Sequence, residues 1–351
     1  MSKDARTGRS LPTSKDVAAL AGVSQSTVSY VMSGKRAITP ETRQKVEEAM
    51  RMLTYQPNAG ARALRGARTS VIALVVQLGA GADTSDSSPY IDTIVEESRL
   101  RDYDVVLVTS DEGAAGLERL ARRRVVDAFV IMDVRTHDSR IPAAATLGLP
   151  VVLFGRPADP YGLDAVDFDT RRAAELLVDD LAATGHRHVT VVGVESEEDA
   201  RELRFISEFH DGARDQARRH GLGFSLVHPA RPGWAGVELA AEEILAHRDQ
   251  GLGVIARTPR LVEWLLQLTR LRGLTVGADL SLVSLSTNAN ATSFHPAVTN
   301  VSPQPKDLSR LAMRVLFERI DGEHSSHRLE LVEPAGVHRR ESTAIFGGDA
   351  S

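Results

Sequence analysis

Residues 15–32 read Lys-Asp-Val-Ala-Ala-Leu-Ala-Gly-Val-Ser-Gln-Ser-Thr-Val-Ser-Tyr-Val-Met. The spacing of the apolar residues admits little except two short helices joined by a tight turn. Val17, Ala18, Leu20 and Ala21 give the first helix an apolar face. Gly22 supplies the positive φ that the turn needs, Val23 points back to the core, and Ser24 stands at an N-cap. From Gln25 to about Met32, Val28 and Val31 form the buried side, which leaves Gln25, Ser26, Thr27, Ser29 and Tyr30 on open faces. Such side chains suit hydrogen bonds to base edges, or contact with a thymine methyl group. Helix-turn-helix units use the start of their second helix in this way. The competing reading is an ordinary helical hairpin with a polar outer face.

The residues beyond Met32 favour the first reading. Thr39-Pro40-Glu41 is a helix start, with Thr39 as cap, Pro40 at the first position and Glu41 matched to the dipole. Val46, Ala49, Met50 and Leu53 repeat at helical spacing and complete a three-helix core of about 40 residues. Pro57 then breaks the chain, Asn58 caps a short new helix and Gly66 ends it. A helix of about seven residues is unstable alone in water. Its small residues Ala59, Gly60, Ala61 and Ala63 let two copies pack closely, and Leu64 is an apolar side chain between Arg62 and Arg65. An apolar wedge beside arginines is the chemistry of minor-groove insertion.

Charge is divided along the chain. Residues 1–70 hold twelve Lys/Arg against five acids, a balance of +7, whereas the whole chain is −5, so the remainder carries −12. A basic module on an acidic body suits phosphate binding by the first part, the bland alternative being a solvated basic face. The length allows two or three domains with sizeable cores. With no cysteine, disulfides and cysteine-ligated metals are excluded, and a reducing cytosol is expected. The polar start of the chain reads as disordered, with no signal peptide. No apolar run reaches the roughly 18 residues that span a membrane. A cytoplasmic protein without a membrane partner is therefore expected.

Three motifs, Asp16-Val-Ala-Ala-Leu-Ala-Gly-Val-Ser24, Thr27-Val-Ser29 and Pro57-Asn58 through Leu64, resemble the LacI/GalR family of bacterial transcriptional regulators. The resemblance covers most of the chain and is most specific over residues 13–65. It implies that the second helix reads the major groove, with Gln25, Ser26 and Tyr30 at base-reading positions. It also implies that the hinge helix folds on operator DNA, with Leu64 opening the central base step and Arg65 beside it. Tyr30 stands where many members carry arginine, which leaves the preferred bases open. The full set of expected DNA contacts is Thr13, Ser24, Gln25, Ser26, Thr27, Ser29, Tyr30, Lys35, Asn58, Ala61, Leu64 and Arg65. The domains expected are a headpiece over 11–56, a hinge helix and linker over 57–69, and a body over 70–346.

In the body, short apolar runs alternate with amphipathic stretches. Strands are expected at 71–78, 105–109, 128–132, 151–154, 189–192, 253–256 and 280–285. Helices are expected at 90–101, 117–123, 170–184, 201–220, 236–247 and 260–272, the 170–184 helix bracketed by Asp169 as cap and Gly185 beyond its end. This alternation implies parallel sheets covered on both faces. The fold class is thus a small all-α helix-turn-helix headpiece plus an α/β body. The body comprises two similar parallel-sheet lobes, which by the resemblance are like periplasmic binding proteins. Three crossings are placed near 164–169, 294–302 and 329–332. They give an N-lobe of about 70–165 and 302–328, and a C-lobe of about 169–297 and 330–346. Gly79-Ala-Gly81 half-matches a dinucleotide fingerprint, but the third glycine is missing and Pro89 intervenes. A mobile loop at the cleft mouth is the better reading.

Ligands of such folds bind at the C-terminal ends of the strands, in the crevice. There the sequence departs from the family. Phe209 stands where many sugar-sensing members have arginine, three residues before Gly212. Arg257-Thr258-Pro259 replaces an Asn-Asp, and Ser286-Thr287 replaces an Asp pair. Two readings stay open. Either a different, more apolar or anionic effector meets Arg156, Phe209, Arg257 and Ser286, or the pocket is degenerate and control lies elsewhere. Trp234 and Tyr90 serve either as packing or as contacts to a ligand. The histidines show no metal spacing, His186 and His188 reading as structural. There is no nucleophile elbow, zinc-protease motif or phosphate-binding lysine loop, so neither cofactor nor catalysis is expected.

The expectation is a homodimeric repressor of a near-palindromic operator, controlled by a small ligand. No leucine-heptad tail follows Phe346, which favours a dimer over a tetramer. The alternatives are control by a partner protein, or a small-molecule-binding protein with a vestigial headpiece.

Overall fold

The computed structural model describes residues 12–33, 38–55, 68–77, 84–193, 202–323 and 326–346. The expected hinge helix with Asn58, Ala61, Leu64 and Arg65 lies outside these residues, as do Lys35 and the glycine-containing loop at 78–83. The headpiece and the body that begins at Ser70 are separate compact units.

The headpiece holds α1 (Ser14–Ala21), α2 (Gln25–Ser33) and α3 (Pro40–Met52). Val17, Ala18, Val28, Val31, Val46 and Ala49 are its buried core, with Val23, Met50 and Leu53 packed at the margin. Gly22 has φ +66°, the left-handed value that the turn requires. Leu20, expected in the core, is 51% exposed. It lies too far round the helix from Val17 and Ala18 to share their buried face.

The body contains two six-stranded sheets. The N-lobe sheet is formed by β1 (Val71–Val76), β2 (Asp104–Thr109), β3 (Ala128–Ile131), β4 (Val151–Phe154), β5 (Asp164–Phe168) and β11 (Leu329–Val332). Its order is β11-β5-β4-β3-β1-β2, and every pair is parallel. Its helices are α4 (Thr84–Arg99), α5 (Gly113–Arg123), the short α6 (Arg140–Ala145) and α13 (Pro305–Asp321).

The C-lobe sheet is formed by β6 (His188–Val192), β7 (Gly223–Val227), β8 (Leu252–Ala256), β9 (Ser281–Leu285), β10 (Thr299–Val301) and β12 (Val337–His338). Its order is β12-β10-β9-β8-β6-β7, and only β12 is antiparallel. Its helices are α7 (Thr170–Ala183), α8 (Arg204–Arg219), α9 (Trp234–Leu239), α10 (Ala241–Ile244), α11 (Pro259–Leu271) and α12 (Asn288–Ser293). Asp169 Oδ1 accepts the Arg172 backbone N–H at 2.8 Å and so starts α7 as expected.

The expected inner strands are all present. Residues 164–168 and 329–332, read from sequence as crossings, are instead paired strands of the N-lobe sheet, and the chain passes to the C-lobe after each of them. Residues 299–301, also placed in a crossing, form a C-lobe strand. Strands β7 and β12 were missed; β7 is an edge strand whose half-buried Phe224 and Leu226 lack the continuous apolar run of a central strand. The helix expected over 236–247 is two short helices, α9 and α10.

Candidate DNA-binding surface and effector cleft

The chemistry of the headpiece lies along α2. Ser24 caps it by accepting the Thr27 backbone N–H at 3.1 Å, and its hydroxyl shares hydrogen bonds with Ser26 Oγ at 2.7 Å and Thr27 Oγ1 at 2.8 Å. These three side chains therefore form one hydroxyl cluster at the helix start. Gln25 is exposed, and its amide donates to Ser14 Oγ at 2.8 Å. Tyr30 is 37% exposed, and Ser29 is half-buried. Thr13 precedes α1 and donates both its backbone N–H and its hydroxyl to Asp16, each at 2.7 Å. Those bonds hold the Asp16 carboxyl below its ordinary range. The result is a polar face on a small, rigid apolar base, with donors and acceptors near the start of α2.

In the body, the C-terminal ends of the parallel strands carry the candidate effector residues. Tyr90 is half-buried on α4 and meets the Phe154 ring edge-on, with centroids 5.7 Å apart. Arg257, just beyond β8, lies over the Phe205 ring of α8 at 5.1 Å. Trp234 begins α9, half-buried, and packs against the C-lobe core.

Two expectations fail. Phe209 is 0% exposed and sits wholly within the core, because the inward face of α8 also carries Ile206, His210 and Ala213. Ser286 is 1% exposed; its hydroxyl shares a 2.7 Å hydrogen bond with Ser284 Oγ, and its carbonyl accepts the Asn300 amide. Neither side chain is presented to a ligand.

Arg156, just beyond β4, is held between two carboxylates that the sequence did not mark. Its Nε donates to Asp167 of β5 at 2.8 Å and its Nη2 to Glu208 of α8 at 2.7 Å. Glu208 also accepts from Arg204 at 2.8 Å. Burial disfavours the guanidinium charge, but Asp167 and Glu208 outweigh it and hold the Arg156 pKa above its usual value. Burial also pushes the Asp167 carboxyl up, and Arg156 opposes that rise without cancelling it. The Arg156–Glu208 pair joins the N-lobe to the C-lobe. A second link lies nearby, where Arg135 pairs with Glu202 and the Thr136 N–H donates to the Glu202 carbonyl at 2.7 Å. No sequence spacing signals these contacts, since Arg156 and Glu208 meet only through the packing of two lobes.

Among the described residues no group of histidines, aspartates or glutamates could hold a metal. His186 is buried, with Nε2 on Ser281 Oγ at 2.7 Å and Nδ1 within 2.9 Å of the Leu181 carbonyl. His188 stacks on His247 with centroids 3.6 Å apart. Among the described residues no helix is long and apolar enough to cross a membrane.

A helix-turn-helix headpiece ahead of a two-lobed, periplasmic-binding-protein-like body defines a DNA-binding transcriptional regulator. The family comparisons agree. Residues 13–58 match bacterial regulatory proteins of the lacI family, residues 71–248 match periplasmic binding proteins and the sugar binding domain of the LacI family, and residues 178–343 match a periplasmic binding protein-like domain. The chain belongs to the LacI family.

Its relatives include the regulator CelR of Thermobifida fusca, 28% identical over 95% of this chain and 99% of the relative. TreR of Salmonella typhimurium is 28% identical over 90% and 96%. The probable regulator EndR of Paenibacillus polymyxa is 23% identical over 90% and 92%. Among solved structures, a Lac repressor dimer has the same fold with a TM-score of 0.77 at 19% identity, covering 95% of this chain and 100% of that one. A CelR–cellobiose complex gives a TM-score of 0.66 at 24% identity, covering 94% and 99%.

Proposed function

We propose that the protein is a homodimeric repressor of a near-palindromic operator, and that a small effector in the body cleft sets its affinity. The observation that carries the DNA-binding part is the exposed polar face at the start of α2, mounted on the buried Val17–Val28–Val46 core. Gln25, Ser26 and Tyr30 are the base readers, and Thr13, Ser24, Thr27 and Ser29 support the helix against the duplex. Lys35, Asn58, Ala61, Leu64 and Arg65 complete the interface, with Leu64 as the wedge at the central step. Two headpieces on one dimer gain affinity through effective concentration. A solved structure of the same fold is a Lac repressor dimer bound to operator, and sequence relatives include the ribose operon repressor of Haemophilus influenzae and the HTH-type transcriptional repressor PurR of Mannheimia succiniciproducens.

The effector reading rests on the cleft and on the likeness in fold to a CelR–cellobiose complex. Tyr90, Trp234 and Arg257 are the contacts that remain once Phe209 and Ser286 are seen to be buried. Arg156 is already balanced by two carboxylates, so its part is to couple the lobes rather than to clamp an anion. A sugar-related effector in an atypical pocket fits these residues. A coupling of about 1–3 kcal/mol between effector and operator is the expected scale.

The test is selection of bound sequences from random duplex DNA with the full-length protein, repeated with Leu64→Ala. The expected result is a palindromic motif whose central step loses its preference in the variant. Specific affinity should fall far more than nonspecific affinity; equal losses would refute the wedge. The selected duplex then serves to screen sugars for release.

A further inference from the structure

Building on the small-effector reading above, we propose that Asp133 is a further effector contact, and that it selects a neutral polyhydroxylated ligand over an anionic one. In the N-lobe sheet β1 and β3 are neighbours. The chain leaves β1 for α4 and β3 for α6, and these helices lie on opposite faces. Ile94 of α4 packs in one core cluster with Ile72, Leu74 and Val76, and Ile141 of α6 in another with Ala73 and Val75. A crevice therefore opens between the C-terminal ends of β1 and β3, the point where such sheets take ligands. The segment beyond β3 also faces the C-lobe, since Arg135 pairs with Glu202 and the Thr136 N–H donates to the Glu202 carbonyl at 2.7 Å. Asp133 stands at this point.

Its conformation is fixed by its surroundings. The Gln77 N–H, at the end of β1, donates to Asp133 Oδ2 at 3.1 Å. The Asp133 carbonyl accepts a hydrogen bond from Arg140 Nη2 at 3.0 Å. Arg140 is 6% exposed and is locked in turn by Asp138 at 2.7 Å and by the Met132 carbonyl at 3.1 Å. The Asp133 backbone has φ +51°, a left-handed value that few residues other than glycine, asparagine and aspartate adopt. Residues held in such a conformation cluster at ligand sites. The other carboxylate oxygen, Oδ1, has no hydrogen-bond partner among the described residues, and no cation among them pairs with the group. This sets Asp133 apart, because Asp138, Asp167, Glu202 and Glu208 in the same region are each paired with an arginine. A half-buried carboxylate oxygen held in place suits a ligand hydroxyl, which donates to it in a charge-assisted hydrogen bond. A ligand phosphate or carboxylate at the same place meets like charge and loses affinity.

The test is titration calorimetry of the full-length protein with a panel of neutral pentoses, hexoses and disaccharides, among them D-xylose, D-glucose and cellobiose. D-glucose 6-phosphate and D-gluconate serve as anionic counterparts, and the series is repeated with Asp133→Asn. Asparagine visits the left-handed region readily, and its side-chain oxygen can still accept the Gln77 N–H, so matching thermal transitions without ligand are expected. The wild type should bind a neutral sugar and discriminate against the anionic probes. In the variant the neutral sugar should bind about tenfold more weakly or worse, since a neutral group replaces an ionised acceptor. The gap between neutral and anionic probes should narrow, a change that a merely structural role would not produce. Asp133→Gly, which also accepts the positive φ, should lose binding further. A neutral-sugar Kd unchanged in both variants overturns the proposal, and so does a wild type that prefers the anionic probes. A wild type that binds no member of the panel overturns the effector reading itself and this one with it, so the two failures are distinct.

Discussion

Replacing Arg156 with methionine tests the inter-lobe network most directly. Methionine keeps the length of the stem and removes the charge. Asp167 is only 7% exposed, and it would keep a single hydrogen bond, from the Phe168 N–H at 2.9 Å. Breaking a buried pair by removing one partner costs about 3–5 kcal/mol. The Arg156 side chain is 22% exposed, and Glu208 retains Arg204, so a value below that range, about 2–3 kcal/mol, is appropriate. For a body of this size it corresponds to a fall of about 5–10 °C in Tm.

The pH dependence identifies the group responsible. Burial already holds the folded Asp167 carboxyl above its usual value, so the folded state binds its proton more readily than the unfolded chain does. Its contribution to stability is therefore full below the ordinary carboxylate range and is lost as pH rises through the folded pKa. Without Arg156 that pKa rises further, and the loss extends to higher pH. The deficit of the variant should be largest near neutrality and shrink on acidification. Thermal unfolding of both proteins across this range measures it, and Asp167→Asn in the variant background should recover most of the loss. A deficit that is flat with pH, or under about 0.5 kcal/mol against the roughly 2–3 kcal/mol expected here, would refute the reasoning.

Other parts of the molecule give four further expected outcomes. Glu208→Gln removes the inter-lobe ion pair with Arg156 together with the pair to Arg204 within α8, and leaves Arg156–Asp167 in place; its effect on Tm should be small while operator affinity shifts by about fivefold or more, read by titration of the selected duplex. Val28→Ala removes two methyl groups from a fully buried site in a six-residue core, and should cost the headpiece about 2 kcal/mol and abolish specific binding, measured by helical circular dichroism and DNA titration. Gly212→Ala would place a Cβ 2.6 Å from the Arg171 carbonyl oxygen, where α7 and α8 pack closely; an overpacking loss of about 1–3 kcal/mol is expected by denaturant unfolding. The His188 pKa is lowered to about 4 by burial and by His247, so the folded state binds fewer protons than the unfolded chain between that value and 6.5. Stability should consequently fall as pH drops through this window, and His188→Gln should reduce the fall.

The headpiece was legible because its determinants are local. A glycine with positive φ, two caps and apolar residues at helical spacing lie within 40 residues, and each side chain needs only its neighbours to take its place. Leu20 is the exception, for an apolar residue one position off the buried stripe looks the same in sequence as one on it. The inner strands were legible for a related reason, since strands buried on both faces read as continuous apolar runs. The edge strand β2 was legible by its Val105–Val108 run although it is largely exposed, whereas the edge strand β7 and the strands next to the crossovers lack such a run. The stretch at 164–168 carries Asp164 and Asp167, whose carboxylates are paired with Arg319 and Arg156 from elsewhere in the fold.

The cleft was less legible because its charges are settled by tertiary pairing. By residue type, Phe209 and Arg156 are both plausible ligand contacts. The structure buries the first, since α8 turns its Ile206–Phe209–Ala213 stripe inward, and compensates the second with carboxylates 11 and 52 residues away in the chain. The consequence for control of DNA binding is specific. A cleft joined by Arg156–Glu208 and Arg135–Glu202 has lobe-to-lobe contacts of its own, so the proposed effector would act only through its differential affinity for two lobe arrangements. An effector that spans Tyr90 and Trp234 while leaving the Arg156 network intact should favour the joined arrangement. One that competes for Arg156 should favour the parted one. Glu208→Gln distinguishes these cases, because it should weaken the response to the first and leave the second with less to displace.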